Sequence, residues 1–340
     1  MKRKESIIEN GYQLRYFLVK LEQSHFIRGV YAMNFPTIST EKLVKRLEPP
    51  TSKIRMVLDT DTFNEVDDQF AIVYALQSAE KLNVEAIYAA PFYNDKSTGP
   101  EDGMEKSYDE ILRILEKLNV TPEGFVYKGS TDYLRDLHQP HRNKATLDLV
   151  KRAMEADEDD PLYVVAIGAI TNVASAILIE PKIIEKIVVV WLGGHALHWQ
   201  DTAEFNLQQD VLAARLIFDC GVPVVQIPCM GVTSHLHTTL PEMNQYVRGQ
   251  GKIGDFLAER FEEYHDDHFA YSKVIWDISA IAYLLNLDKA VSTQLVHSPV
   301  LTDQLTWSFD SSRHFIRYVN YMNRDVIFRD LFRKLRDGKK

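Results

Sequence analysis

Only two cysteines, Cys220 and Cys229, occur in 340 residues. They are too few for a disulfide framework, and their spacing matches no zinc site. No apolar run reaches the roughly 18 residues of a membrane-spanning helix. The richest, around Ile183 to Leu192, is broken by Glu185 and Lys186. Basic residues are not in excess either: the net charge of -9 offers no broad footprint for a nucleic-acid backbone. Internal repeats and low-complexity segments are also missing. The N-terminus begins Lys2-Arg3-Lys4, but Glu5 and Glu9 follow and no continuous apolar segment does. A secretory signal is therefore not expected. With 45% hydrophobic and 26% charged residues, the composition is that of a globular protein. A cytoplasmic enzyme is the expectation, with neither nucleic acid nor membrane as partner.

What the chain does contain is a dense acidic patch. Asp59, Asp61, Glu65, Asp67 and Asp68 fall within ten residues, where an apolar strand-like run passes into an apolar helix-like run. Carboxylates repel one another and resist desolvation, so such a cluster calls for a compensating charge. A hard divalent cation with oxygen ligands supplies it, and a carboxylate beside that cation can serve as a base toward water. A solvated acidic turn with an ordinary helix cap is the plainer reading. Two aspartates at the strand end, ahead of the Asp67-Asp68 pair, favour the metal.

Residues 1–52 are polar and mixed in charge, ending in Glu48-Pro49-Pro50-Thr51-Ser52. They read as an N-terminal extension, partly helical near Thr40 to Leu47, ahead of a catalytic domain over 53–340. From Ile54 the pattern alternates. Strands are predicted at Ile54–Leu58, Val84–Ala89, Gly124–Tyr127, Tyr163–Ile167, Ile187–Leu192 and Val222–Ile227. Helices are predicted at Asp68–Leu82, Met104–Leu118, Ala145–Ala156, Asn172–Ile179 and Val211–Cys220. Such alternation indicates an α/β fold with a mostly parallel central sheet and helices on both faces, Rossmann-like and open. The run Val188-Val189-Val190-Trp191-Leu192 lacks polar alternation, as expected of a strand covered on both faces. Ligands in such folds sit beyond the carboxyl ends of the strands, where Asp59, Asp61, Asn94, Ile167-Gly168, Gly193-Gly194 and Cys229 fall. The last 65 residues read as a helix from Asp277 to Leu287, strands near Val300 and Phe315, and a closing helix from Asp325 to Arg336. They are expected to form a smaller region over the site.

Further motifs lie along the strand ends. Ala166-Ile167-Gly168-Ala169-Ile170-Thr171-Asn172 closes one strand and opens a helix; Trp191-Leu192-Gly193-Gly194 closes the next. Ala203-Glu204-Phe205-Asn206 follows, and later Trp276-Asp277-Ile278-Ser279-Ala280. In this order, from about Arg55 to Leu285, the chain resembles the nucleoside hydrolase family, the inosine/uridine-preferring N-ribohydrolases. The resemblance implies a bound calcium ion (Ca2+) also gripped by the ribose hydroxyls, and a nucleoside substrate cleaved to free base and ribose. By motif position it makes Asp61 both a metal ligand and the general base toward water. Asp68, Asp277 and the backbone carbonyl of Ile167 become the other metal ligands. Asp67, Asn94, Glu204 and Asn206 become sugar-binding residues, and Asp59 a support of the cluster. It also implies a homodimer or homotetramer. N-glycosidic hydrolysis passes through an oxocarbenium-like state, as O-glycoside hydrolysis does; nearby carboxylates and amide oxygens suit that charge.

Two departures from the family pattern stand out. Five residues, Thr62 to Val66, separate Asp61 from Asp67 where the family has three, and the usual Pro-Gly turn is absent. Glu65 thereby becomes a candidate for an extra metal ligand or an acid supporting the ligands. Trp276 stands where many relatives have a histidine that protonates the leaving base, and an indole has no titrating proton to give. The purine-specific branch shares this Trp, which implies stacking and a purine preference, although a core Trp filling a gap is the plain alternative. Single residues have plain readings too: Asn172 as a helix-start residue, Asp277 as a cap, and His195, His198, His235 and His237 as loop residues. Tyr133, His138 and His141 are candidates for a second pocket wall. A ribose-binding protein that kept the cage and lost catalysis is the rival function. Asp59-Thr60-Asp61-Thr62 also resembles the nucleophile loop of haloacid-dehalogenase-type phosphatases, but the later Lys and Gly-Asp-x-x-x-Asp site are not found in order.

Overall fold

Apolar, β-branched runs become the inner strands; amphipathic helices such as Pro100–Leu118 and Lys144–Met154 cover them, while Asp67–Leu76 and Ile278–Leu285 are almost wholly buried. The computed structural model describes residues 35–157 and 159–338. Its main sheet uses β1 (Ile54–Thr60), β2 (Leu82–Ala89), β3 (Val126–Lys128), β4 (Leu162–Ala166), β5 (Ile187–Leu192) and β6 (Val224–Ile227). Two short ribbon strands follow, β7 (His237–Thr238) and β8 (Lys273–Val274), then β9 (Val291–His297), a second small ribbon of β10 (Val300–Leu301) and β11 (Trp307–Ser308), and β12 (Phe315–Met322). The eight-stranded sheet has the order β3-β2-β1-β4-β5-β6-β12-β9. Every neighbouring pair is parallel except β12 with β9. All residues of β4 and β5 are buried, as strands covered on both faces must be.

The order reverses between β1 and β4, which lie side by side although β2 and β3 fill the opposite side of β1. Loops leaving β1 and β4 therefore part in opposite directions and leave a crevice at their carboxyl ends. Asp61 follows β1 and Ile167 follows β4, so both stand at that crevice.

Several boundaries differ from the sequence reading for local reasons. The helix after β1 runs Asp67–Leu76, not to Leu82. The Ser78 hydroxyl donates to the Tyr74 carbonyl at 2.6 Å, next to the point where the helix stops. The helix after Asp277 ends at Leu285 because Asn286 turns left-handed, with φ of 47°. β9 has no counterpart in the sequence reading; its alternating, half-exposed Ser-Thr-Gln stretch lies on the sheet edge. Rather than forming a separate region over the site, β12 and β9 extend the main sheet. The helix Gly251–Glu263 likewise has no predicted counterpart.

Near the start of the described chain, Thr40–Arg46 is helical, capped by the Ser39 hydroxyl. Leu43 and Leu47 enter the core, and Pro36 onward forms one compact unit. The part of the extension before residue 35 lies outside the described residues. Among the described residues, no helix is long and apolar enough to cross a membrane.

Candidate active site and metal centre

At the crevice lies a cavity of about 310 Å³. Nine sequence-predicted residues line it: Asp61, Asp67, Asp68, Asn94, Ile167, Glu204, Asn206, Trp276 and Asp277. Asp59 is buried behind them, accepting a hydrogen bond at 2.8 Å from Asn172 Nδ2. Asn172 opens a helix, as expected, but its side chain also ties Asp59 to the Ser130 backbone and hydroxyl.

The acids are held by strand-end and helix-start geometry. Asp67 and Asp68 occupy the first turn of their helix, where the dipole favours negative charge. Asp68 accepts from Thr60 Oγ1 at 2.5 Å, and Asp67 from the Trp276 backbone N–H at 3.1 Å. Asp277 occupies the cap position of its helix, yet its side chain makes no capping bond and faces the other acids. Carboxylate oxygens of Asp67, Asp68 and Asp277 all lie within 4.8 Å of one another. The tightest triad thus contains Asp67 in place of Asp61. Asp61 faces the same cavity, packed beside Gly168; a Cβ at that glycine would stand 3.0 Å from Asp61 Oδ1.

Electrostatics tell the same story. Burial, then the neighbouring carboxylates, push Asp61 and Asp277 well above the usual range. Burial raises Asp68 to about 7, with Asp67 adding to it. Asp67 rises to about 6, mainly by burial, with Lys273 pulling it down. Asp59 rises to about 7 through burial, against the Asn172 bond. Both Asp61 oxygens and Asp67 Oδ1 are buried with no hydrogen-bond partner among the described residues. Unpaired buried carboxylate oxygens converging on one space are the donor set that a hard cation takes. The residues present fit calcium.

The sugar-binding candidates are anchored differently. Glu204 caps the short helix Phe205–Gln209, accepting from the backbone N–H groups of Asn206 (2.9 Å), Leu207 (3.0 Å) and Gly194 (2.9 Å). Gly194 makes its bond from a left-handed backbone, φ 74°, that glycine adopts without strain. Asn206 Nδ2 donates to the Ile167 carbonyl at 3.2 Å and the Leu192 carbonyl at 3.1 Å, fixing both strand ends. The Ile167 oxygen keeps a second lone pair. Asn94 Nδ2 donates to Asn64 Oδ1 at 2.7 Å, so the loop between Asp61 and Asp67 is tied to the loop after β2.

The longer loop does not disperse the acids. Glu65 pairs with Lys273, whose Nζ also lies 5.0 Å from the Tyr264 ring centre. Lys273 is buried and gives the acidic cluster a nearby positive charge; nothing in its spacing marked it. His195 also lines the cavity, as do Cys229 and Met230. His195 lies on a loop, as read, but the cavity contact follows only from the turn at Gly193-Gly194. Tyr133, His138 and His141 do not line it. The Tyr133 hydroxyl instead binds Gln209, and its carbonyl meets His141.

A carboxylate cage for a hard cation, set at the switch point of a parallel sheet, is the architecture of a metal-dependent hydrolase with an oxygen-rich substrate. Comparison with known proteins gives the class its name. Residues 56–312 match the model of the inosine-uridine preferring nucleoside hydrolases, and the chain belongs to that family. It is 29% identical over 239 residues to the pyrimidine-specific ribonucleoside hydrolase RihA of Klebsiella pneumoniae, covering 62% of this chain and 72% of that one. With RihA of Escherichia coli O7:K1 the identity is 27% over 238 residues, at the same coverage. Among solved structures, the purine-preferring ribonucleoside hydrolase from Gardnerella vaginalis superposes with a TM-score of 0.67 at 22% identity, over 84% of this chain and 99% of that one. A plant nucleoside hydrolase superposes with a TM-score of 0.64 at 18% identity, over 83% and 98%. These likenesses carry the fold. The protein is a calcium-dependent enzyme that hydrolyses the N-glycosidic bond of nucleosides.

Proposed function

We propose that Asp61 is the general base and that the enzyme prefers purine ribonucleosides. In this reading Asp61, Asp68, Asp277 and the Ile167 carbonyl hold the metal, with Asp59 supporting them from behind. Calcium, when bound, neutralises the cage and lowers the pKa of water beside it. Asp61 then accepts a proton from the attacking water; its unpartnered carboxylate leaves an oxygen free for that step. Asp67 accepts from a ribose hydroxyl. Asn94, Glu204 and Asn206 orient the sugar, and the fixed carboxylates and amide oxygens face the positive ring as the bond to the base stretches.

The observation behind the base preference is Trp276, half-buried on the cavity wall next to Asp277. Its backbone N–H binds Asp67, the carboxylate read as a ribose ligand, and both residues line the cavity. A flat aromatic wall there suits stacking on a purine, worth about 1–3 kcal/mol at other base-binding sites. The test is a panel of inosine, guanosine, adenosine, uridine and cytidine, assayed with and without a calcium chelator. A higher kcat/KM for the purine nucleosides, lost on chelation, is expected. Equal kcat/KM for inosine and uridine rejects the purine preference. Tight ribose binding without base release identifies a binding protein instead.

A homodimer or homotetramer is inferred from the family alone; light scattering during size-exclusion chromatography measures it. Two free, buried cysteines suit a reducing compartment and support a cytoplasmic location.

A further inference from the structure

Cleavage of an N-glycosidic bond sends the bonding electron pair onto the departing base, so a hydrogen-bond donor facing that base lowers the barrier. Most polar side chains around the cavity are already engaged. Both ends of the Asn94 amide are bonded, to Asn64 and to the Lys96 N–H. Asn206 Nδ2 serves two carbonyls, and Glu204 takes three backbone N–H groups. Glu65 is paired with Lys273.

His195, unlike those four residues, keeps a ring nitrogen with no partner among the described residues. Its backbone is fixed at both ends, the N–H by Thr202 Oγ1 at 2.9 Å and the carbonyl by the Trp307 indole N–H at 3.0 Å. Its Nδ1 accepts the Met230 backbone N–H at 3.3 Å. With Nδ1 an acceptor, the proton of the neutral ring sits on Nε2. That Nε2 has no hydrogen-bond partner among the described residues, although the residue lines the cavity. The ring also stands edge-on to Trp199, 6.4 Å between centres, which limits its rotation.

We propose that His195 is a leaving-group contact, donating an Nε2–H hydrogen bond to the nucleobase as the C1′–N bond breaks. The inference rests on the nucleoside-hydrolysis reading of the same cavity. In the step, the C1′–N pair moves onto the base and the water oxygen bonds to C1′. The water proton goes to Asp61 and then to solvent, and solvent protonates the base. His195 keeps its own proton throughout. Burial lowers its pKa, with Asp201 opposing, so the neutral N–H form prevails near pH 7. His195 thereby fills part of the role left open by Trp276, through a hydrogen bond in place of proton transfer.

The test compares inosine with p-nitrophenyl β-ribofuranoside, whose nitrophenolate departs without such help. His195→Phe keeps a ring and removes the donor. His195→Asn keeps an acceptor for Met230 but withdraws the Nε2 reach, and it serves if the ring variant does not fold. His195→Gln restores a donor near Nε2. Both variants, which leave no donor at the Nε2 position, should lose about 10- to 100-fold in kcat/KM on inosine, the range for one hydrogen bond to a charge-bearing group. On the nitrophenyl riboside they should change less than about threefold, and His195→Gln should recover part of the inosine rate. Equal losses on both substrates, or no loss on inosine, overturn the proposal. Wild-type enzyme that cleaves neither substrate defeats the underlying nucleoside reading instead.

Discussion

At the floor of the cavity Asp61 holds two buried oxygens that nothing in the described protein satisfies, whereas on the wall Glu204 has its carboxylate filled by three backbone N–H groups. Both are buried acids at strand or helix ends, but their environments give them different work. The floor is a set of like charges made tolerable only by a cation or by protons. The wall is internally satisfied and acts as scaffold. Substitutions on the floor should therefore cost activity more than stability, and on the wall both.

The sharpest break in that contrast is at Asp61. Asp61→Ala should lower turnover by about 10⁴-fold, the upper end for loss of a general base, while the fold remains intact. In calcium-free solution Asp61→Asn should match or exceed the wild-type melting temperature, because an unpaired buried charge is removed. Unchanged turnover rejects the base assignment. Glu204→Ala should behave in the opposite sense, destabilising by about 1–3 kcal/mol in denaturant titrations with or without calcium, because three N–H groups lose their acceptor. Trp276→Ala should reduce kcat/KM on inosine by about 10- to 100-fold, as loss of stacking implies, and on uridine by less.

The smallest expected effect tests the floor through pH. The folded-state values of Asp67, near 6, and of Asp59 and Asp68, near 7, all lie above the ordinary 3.8. The metal-free folded protein thus binds more protons than the unfolded chain between about pH 4 and 7. Its stability should be fullest below pH 4 from these groups and fall as pH rises through 6 and 7. Calcium binds the deprotonated acids, so its stabilising effect should grow over the same window. Melting curves with calcium and with chelator, at pH 5 and pH 7.5, give the comparison; a larger calcium shift at pH 5 contradicts it.

Much of the inner sheet was legible because strands buried on both faces must be apolar throughout, as Ile187–Leu192 is. The acids at the ends of β1 and in the following helix were legible because charge in such a place has few structural uses. The edge strand β9 was not, since half-exposed Ser, Thr and Gln carry no burial pattern. Nor were Lys273 and His195, whose neighbours come from distant parts of the chain: Glu65 lies 208 residues away from Lys273, and Met230 lies 35 residues from His195.

The sequence by itself determined the alternating α/β order and put acidic side chains where strands end, since hydrophobic periodicity and charge are local properties. Only the tertiary structure decided that Asp67, Asp68 and Asp277 close to within 4.8 Å, that Asp61 is left unpartnered, and that an imidazole stands on the wall. Those outcomes depend on the reversal of strand order between β1 and β4 and on loops that bring residues 209 positions apart into contact. Such convergence is a property of packing, which no local pattern encodes.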